Sequence, residues 1–444
     1  MKLLVICENI APQRGISTIR WTKISKYIKI NNPDEVTIDI LTTKKNYNDE
    51  DSVIPISGKD ELLEKDLIYF NDYYDVPIKR GLTLAYKIRK KNVGDDGRFV
   101  SSKETVAKGV KTHIKRTLRK GFTAYYNFLC YHYTSSFIKE RAKGYDAVIS
   151  SYDPLWPHMT ASKIKSINRN IVWLADFRDP CGLCRDDLPG IARWHKPFIK
   201  VICRHADAAI KVAEFVTTST PKAVKQVVIS NGFDPEEYVE PKKPERFTLV
   251  FTGTIYGRQR DFGIIFKALN DLIRDGLIDK EDVSVVYAGT NSAEARVFAQ
   301  ENDGIDLLED RGLLPRKDAK ELQTSAAILI QASYSVKNDE SLWTGKMFEY
   351  MLSGKPIVYI VNGDMPNSIP SRYIGKLGGV CYEEARAEET YDDLKKYILV
   401  KYEEWKKTGN VTIARDEEYI SQFSHKNIAR DVWALITQKG KKTE

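Results

Sequence analysis

The sequence predicts an α/β protein of two doubly wound domains, each a parallel sheet covered by helices, facing one another across a cleft. Three observations carry this reading. The chain has 444 residues, more than one compact core organises. Short apolar runs rich in β-branched residues alternate with longer helical patterns, the βαβα rhythm of parallel sheets. The rhythm also stops and restarts around residues 231–246, a polar stretch with the proline and turn content of a linker.

Taken in order, the first half gives strands at Leu3–Cys7, Val36–Leu41, Ala147–Ser150, Ile171–Ala175 and Ala208–Val212, with amphipathic helices at Ser17–Ile30 and Thr160–Ile167. The second half gives strands at Thr248–Thr252, Val283–Tyr287, Ala327–Ile330 and Pro356–Ile360, with a helix at Asp261–Ile273. The expected domains are 1–230 and 231–415, and residues 416–444 form a last helix that crosses back to the first domain. Ligands of such sheets bind beyond the carboxyl ends of the strands, so the strand-to-helix turns are where chemistry is sought.

Composition narrows the class. With 42% hydrophobic and 29% charged residues, the chain reads as an ordinary globular protein, which excludes disordered, fibrous and multi-span membrane classes. Lys plus Arg is 69 and Asp plus Glu is 61, a net +8 too modest to mark a nucleic-acid partner. The apolar start stops at Glu8, which suits a first strand better than a signal peptide, and the expected location is cytoplasmic. Six scattered cysteines do not suggest a disulfide framework. The CxxC of Cys181 and Cys184 lacks a second ligand pair, so no metal is expected.

A helical insertion is expected at about 87–140. No acidic residue lies between Glu104 and Glu140. Lys108, Lys111, Lys115 and Arg119 fall near one helical face beside a stripe of Val106, Val110, Ile114 and Leu118, and Phe122, Tyr125, Tyr126 and Phe128 follow. That order suits a helix lying on an anionic bilayer, giving peripheral membrane contact through residues 105–139 at the inner face of the plasma membrane. It also suits, and better, a surface helix whose stripe packs on its own domain.

Phosphate-loop, GxGxxG, HExxH and GxSxG templates are missing, which weakens the NTPase, dehydrogenase, zinc-protease and hydrolase classes. Five turns remain. Gly15, after the first strand, allows close backbone approach to a ligand, and Ser17 can cap the helix that follows. Ser150-Ser-Tyr-Asp-Pro-Leu-Trp-Pro-His158 places a histidine where a strand passes into a helix. Asp176, Arg178 and Asp179 crowd the end of the next strand, as a cleft-shaping ion-pair network or as acceptor contacts. Gly253 and Gly257 permit a tight turn, with Arg258 and Arg260 as phosphate-matching forks. Thr344 and Gly345 open a helix with Lys346 in its first turn, where an anion would meet amides and ammonium. Glu349, one turn further on, can accept hydrogen bonds from a vicinal diol.

These segments, in their shared order, resemble glycosyltransferase family 4 and its relatives with the GT-B fold, two Rossmann-like domains and a returning C-terminal helix. The similar pieces are the glycine turn with Arg20, Ser-Ser-Tyr-Asp-Pro to His158, Asp-Phe-Arg-Asp-Pro, Ser-Asn-Gly-Phe-Asp234, Thr-Gly-Thr-Ile-Tyr, Gly312-Leu-Leu, Thr-Gly-Lys-Met-Phe-Glu-Tyr and the tail beginning Phe423-Ser-His-Lys.

The resemblance implies a bacterial enzyme of polysaccharide or other glycan biosynthesis. It would move a hexosyl or N-acetylhexosaminyl group from a UDP- or GDP-linked sugar to a glycan or polyprenyl-linked acceptor, with retention and without metal or other cofactor. Glu349 would bind the ribose hydroxyls, Lys346 and Arg258 or Arg260 would neutralise the diphosphate, and the backbone at Leu313 and Leu314 would meet the base. Gly253, Thr344 and Gly345 belong to that donor site. From the first domain Gly15 would approach the diphosphate, His158 would hydrogen-bond the sugar, and Arg20, Asp176, Arg178 and Asp179 would shape the acceptor side. Two positions depart from the pattern. Ser341 stands where the family commonly has a second Glu, with Glu340 one residue off, and Thr254 stands where an Arg usually follows the glycine. A sugar-nucleotide epimerase or hydrolase on the same fold, using cleft carboxylates and histidines for acid/base work, is a second reading, and a non-catalytic scaffold is a third, of which those departures would be the signature.

Overall fold

A computed structural model describes residues 1–13, 16–43, 60–76, 124–178, 191–214, 216–336 and 343–440. The chain divides into two compact units, one of Met1–Asn231 with His425–Glu444, the other of Gly232–Ser424.

In the first unit a seven-stranded sheet runs in the order β3-β2-β1-β4-β5-β6-β7, every described pairing parallel. Its strands are β1 Lys2–Ile6, β2 Thr37–Thr43, β3 Asp72–Val76, β4 Ala147–Tyr152, β5 Val172–Phe177, β6 Ala208–Lys211 and β7 Lys225–Val228. Described helices are α1 Ile16–Asn31, α2 Glu61–Glu64, α3 at residues 124–133, α4 Ser135–Arg141, α5 Trp156–Ile167 and α6 Ile191–Ile202.

Alternation along β1 shows how the sheet is covered. Leu3 and Val5 face a core shared with α1 and with Ile428, Ala429, Val432 and Ile436 of a C-terminal helix. Leu4 and Ile6 face the opposite core, with Tyr126 and Cys130 of α3, Trp156 and Ile164 of α5, and Ile199 of α6. Both faces of the strand are therefore buried, which is why it reads as an unbroken apolar run.

The second unit carries a six-stranded parallel sheet in the order β10-β9-β8-β11-β12-β13. Its strands are β8 Phe247–Thr252, β9 Val283–Ala288, β10 Leu308–Asp310, β11 Ile328–Tyr334, β12 Ile357–Asn362 and β13 Val380–Glu383. Its helices are α7 Ile264–Arg274, α8 Ser292–Gln300, α9 Arg316–Ser325, α10 Gly345–Ser353, α11 Ile369–Tyr373, α12 Ala387–Thr408 and α13 Glu417–Ser421. Ile420 and Phe423, in and just after α13, pack into this unit's core. The chain passes back to the first unit between Ser424 and His425, where α14 (His425–Gly440) begins.

In each sheet the strand order reverses once, between β1 and β4 in the first and between β8 and β11 in the second. The carboxyl ends of those pairs are where ligands of doubly wound sheets bind. In the second unit the turns there are knitted together. Gly253 N–H donates to Ala288 O at 2.9 Å, Gly289 N–H to Gly312 O at 2.8 Å, and the Tyr287 hydroxyl to Gly253 O at 3.1 Å.

Gly289 sits at the closest approach. A Cβ there would lie 2.0 Å from Gly253 O and 2.3 Å from the Tyr287 hydroxyl. Gly289→Ala must push one of these turns aside, and the expected loss is about 1–3 kcal/mol of stability, read as a lower urea midpoint. A wild-type midpoint in this variant would show that the turns tolerate displacement.

Candidate functional site

The second unit gathers its polar groups at the carboxyl end of β8 and β11. Thr252 ends β8, and Gly253 follows at φ +148°, backbone that favours glycine. A Cβ on Gly253 would stand 3.8 Å from Lys346 Cγ, so this turn and the first turn of α10 are neighbours. α10 opens at Thr344, whose extended backbone starts the helix while its hydroxyl makes no capping bond.

Lys346 Nζ lies 2.7 Å from Glu349 Oε2, and Gln323 Nε2 donates to the same oxygen at 3.4 Å. Gln323 also donates to Thr252 Oγ1 at 2.8 Å, tying α9 to the end of β8. Arg316 Nε stands 3.9 Å from Glu349 Oε1. Arg316 Nη2 donates to Glu237 at 2.7 Å, and Lys320 bonds the same carboxylate. The Glu349 side chain is 18% exposed. Burial raises its carboxyl pKa, but Lys346 and Arg316 outweigh burial and hold it below the usual carboxylate range.

Of the donor-side residues expected from sequence, the structure brings together Gly253, Thr344, Gly345, Lys346 and Glu349. Leu313 is 65% exposed beside Gly312, and Leu314 is half-buried. Arg260 lies over the Tyr256 ring and donates to Thr254 O at 3.1 Å. Arg258 is already engaged, with Asp261 at 2.6 Å and with Glu301, bonds that hold its proton more tightly still. Arg316, Lys320, Gln323 and Glu237 were not anticipated. For Arg316, Lys320 and Gln323 the only signal was their spacing along one helical face, and Glu237 carried none.

In the first unit the end of β4 and the start of α5 hold His158, fully buried. Its Nδ1 lies 2.7 Å from Ser150 Oγ, which also accepts from Trp173 Nε1 at 2.8 Å. The ring packs against Phe177, Tyr152 and Trp173. Burial pushes its pKa down to about 3 against a smaller upward pull from Asp176, so the imidazole is neutral.

Glu8, just past β1, was also unanticipated. It accepts from Trp156 Nε1 and the Tyr126 hydroxyl, each at 2.7 Å, and from the Thr43 hydroxyl at 3.0 Å. Asn127 of α3 accepts from the Leu155 and Trp156 amides, so this end of the expected insertion docks into the core. Tyr125 and Phe128 remain exposed. Residues 105–123, Gly15, Asp179, Glu340, Ser341, Cys181 and Cys184 lie outside the described residues. Cys7, Cys130, Cys203 and Cys381 are buried thiols.

Arg20 and Asp176, expected to shape the acceptor side, with Asp176 read either as part of an ion-pair network or as an acceptor contact, are saturated by the protein itself. Arg20 Nη2 meets Asp176 Oδ1 at 2.9 Å, and Nε faces both carboxylate oxygens. The remaining guanidinium protons go to Ile229 O, Ser230 O and Asn231 Oδ1. Asp176 also accepts from Trp21 Nε1 at 2.8 Å and Ser151 Oγ at 3.1 Å. Arg178 donates to Asp153 O at 3.1 Å. Asp176→Ala strands a buried guanidinium, and the expected cost is about 3–5 kcal/mol in urea unfolding. A loss below about 1 kcal/mol, the range of exposed pairs, would mean that water reaches the pair.

No protein-family model and no curated protein matches the sequence. Solved structures do match. The trehalose 6-phosphate synthase of Burkholderia multivorans aligns over 100% of both chains with TM-score 0.61 at 11% identity. The sucrose-phosphate synthase of Thermosynechococcus elongatus aligns over 99% of this chain and 98% of its own, with TM-score 0.57 at 12% identity. The lipopolysaccharide outer core galactosyltransferase WaaB aligns over 99% of this chain and 100% of its own, with TM-score 0.54 at 13% identity. At such identities the likeness is one of architecture, and the architecture is GT-B.

Proposed function

We propose that this chain is a family 4-like retaining glycosyltransferase that transfers a hexosyl or N-acetylhexosaminyl group from a UDP- or GDP-linked sugar to a glycan or polyprenyl-linked oligosaccharide. The observation that carries the reading is Glu349, held by Lys346 at 2.7 Å in the first turns of α10, beside the Gly253 turn where the strand order reverses. A carboxylate kept ionised there is the acceptor a ribose diol needs. The adjacent ammonium and helix N-terminus suit a diphosphate.

In this reading Glu349 accepts the ribose hydroxyls, and Leu313 and Leu314 meet the base. Lys346 faces the diphosphate with Arg260. Arg258 is assigned no phosphate contact, because Asp261 and Glu301 already neutralise it. His158 donates to the transferred sugar from Nε2. The bond from the anomeric carbon to the leaving phosphate breaks as the bond to the acceptor oxygen forms on the same face, and the acceptor proton passes to the departing phosphate. The protein's contribution is position and fixed positive charge, which stabilise the leaving group without requiring a metal.

Calorimetry with UDP and GDP tests the donor site. One of them should bind, and Glu349→Ala should weaken it about tenfold, the effect of losing hydrogen bonds to a charged group. An unchanged affinity removes the ribose assignment. Turnover is read by screening nucleotide sugars against glycan acceptors, and donor consumption without an acceptor would mark a hydrolase or epimerase instead.

The acceptor side of the proposal includes contact with an anionic bilayer. Support comes from α3 and α6, which pack on the same face of the first sheet. They leave Tyr125, Phe128, Phe198 and Val201 exposed, and Lys139, Lys143, Lys196, Lys200 and Arg204, in or just after α4 and α6, are exposed as well. The chain should sediment with phosphatidylglycerol-containing vesicles and not with phosphatidylcholine alone, and added salt should weaken the association. Equal binding to both vesicles, or to neither, would count against the membrane contact.

A further inference from the structure

His158 is buried with its two ring nitrogens in unlike surroundings. Nδ1 is 2.7 Å from Ser150 Oγ, while Nε2 has no hydrogen-bond partner. Ser150 is itself fully buried, and its hydroxyl meets two groups, Trp173 Nε1 at 2.8 Å and His158 Nδ1. An indole N–H only donates, so Ser150 accepts from Trp173.

The imidazole proton can then be placed by elimination. If Nδ1 carried it, the serine oxygen would accept twice and its own proton would have no acceptor. Nε2 would be a second unsatisfied group, a bare lone pair. If the serine hydroxyl donates to Nδ1, everything around Ser150 is satisfied and the only unmet group is one N–H at Nε2. Unpaired buried polar groups are costly, so the second arrangement is favoured. The ring is also clamped, with Phe177 edge-on at 4.8 Å and Tyr152 stacked at 6.0 Å.

We propose that Ser150 and Trp173 are positioning residues that fix His158 as the Nε2–H tautomer, so that it serves as a neutral hydrogen-bond donor to the transferred sugar rather than as a proton-transfer group. The target of that donor rests on the function proposed above; the tautomer does not. Neither Ser150 nor Trp173 would touch substrate. Trp173 occupies one acceptor site of the serine, and the serine then has one direction left for its proton.

The tautomer is read directly by long-range proton–nitrogen correlation on protein carrying nitrogen-15 in its histidine rings. The chain has six histidines, and the His158 signal is identified as the one lost in His158→Gln. The expected pattern is a protonated Nε2 and an unprotonated Nδ1. An Nδ1–H pattern in the wild-type protein overturns the proposal, whatever the fate of the variants.

Ser150→Ala should turn the signal into a mixture of tautomers and lower kcat about tenfold while nucleotide affinity stays unchanged, the signature of a contact made in the transition state. Trp173→Phe should shift the tautomer in the same direction. A folded Ser150→Ala protein that keeps both the wild-type tautomer and the wild-type kcat also overturns it. If no donor is turned over by the wild-type protein, the spectrum still decides the tautomer, and only the sugar-transfer reading falls.

Discussion

The first unit depends on one buried ion pair. Arg20 lies on α1 and Asp176 on β5, 156 residues apart in sequence. The guanidinium also closes on the backbone at Ile229 and Ser230, where the chain is about to leave the unit. Its five protons are all used, two of them on one carboxylate. A pair like this adds little stability over an apolar substitute, because desolvation consumes most of the attraction. What it fixes is geometry: a helix, a strand and an exit segment share one point, and none can shift without leaving a charge unmatched.

The second unit uses charge in a more open way. Glu349 Oε2 takes Lys346 and Gln323, whereas Oε1 faces Arg316 across 3.9 Å. Arg316 and Lys320 are held in turn by Glu237. The cluster combines three cations and two carboxylates at the end of a parallel sheet. The contrast with Arg20 and Asp176 is one of saturation. A network whose donors and acceptors are all internal serves the fold, while one with a carboxylate oxygen beyond hydrogen-bond distance of its cation has capacity for a ligand.

This distinction marks what the sequence could and could not convey. The nine apolar runs read as strands are the nine inner strands of the two sheets. The four strands not read, β3, β7, β10 and β13, are the four sheet edges among the described residues. Inner strands must be apolar on both faces, so their composition gives them away. Edge strands such as Asp-Tyr-Tyr-Asp-Val and Leu-Glu-Asp carry no such demand. Lys346 and Glu349 were legible because residues three apart on a helix are neighbours by necessity. The pairing of Arg258 with Glu301, 43 residues on, was not legible, nor was the role of Arg316. Such partners are chosen by tertiary packing, and local pattern holds no record of them.

The path of the chain through the two units has a consequence for biosynthesis. The second unit is continuous from Gly232 to Ser424, but the first is not, since Ile428, Val432 and Ile436 complete a core begun by Leu3 and Val5. A nascent chain therefore holds everything the second unit needs before the first can close. Until synthesis passes residue 436, the core that Leu3, Val5 and α1 begin lacks the side chains that α14 adds to it. Vectorial synthesis thus reverses the usual order, in which the segment made first folds first. The core of the early half is completed by a helix encoded after the whole of the later half.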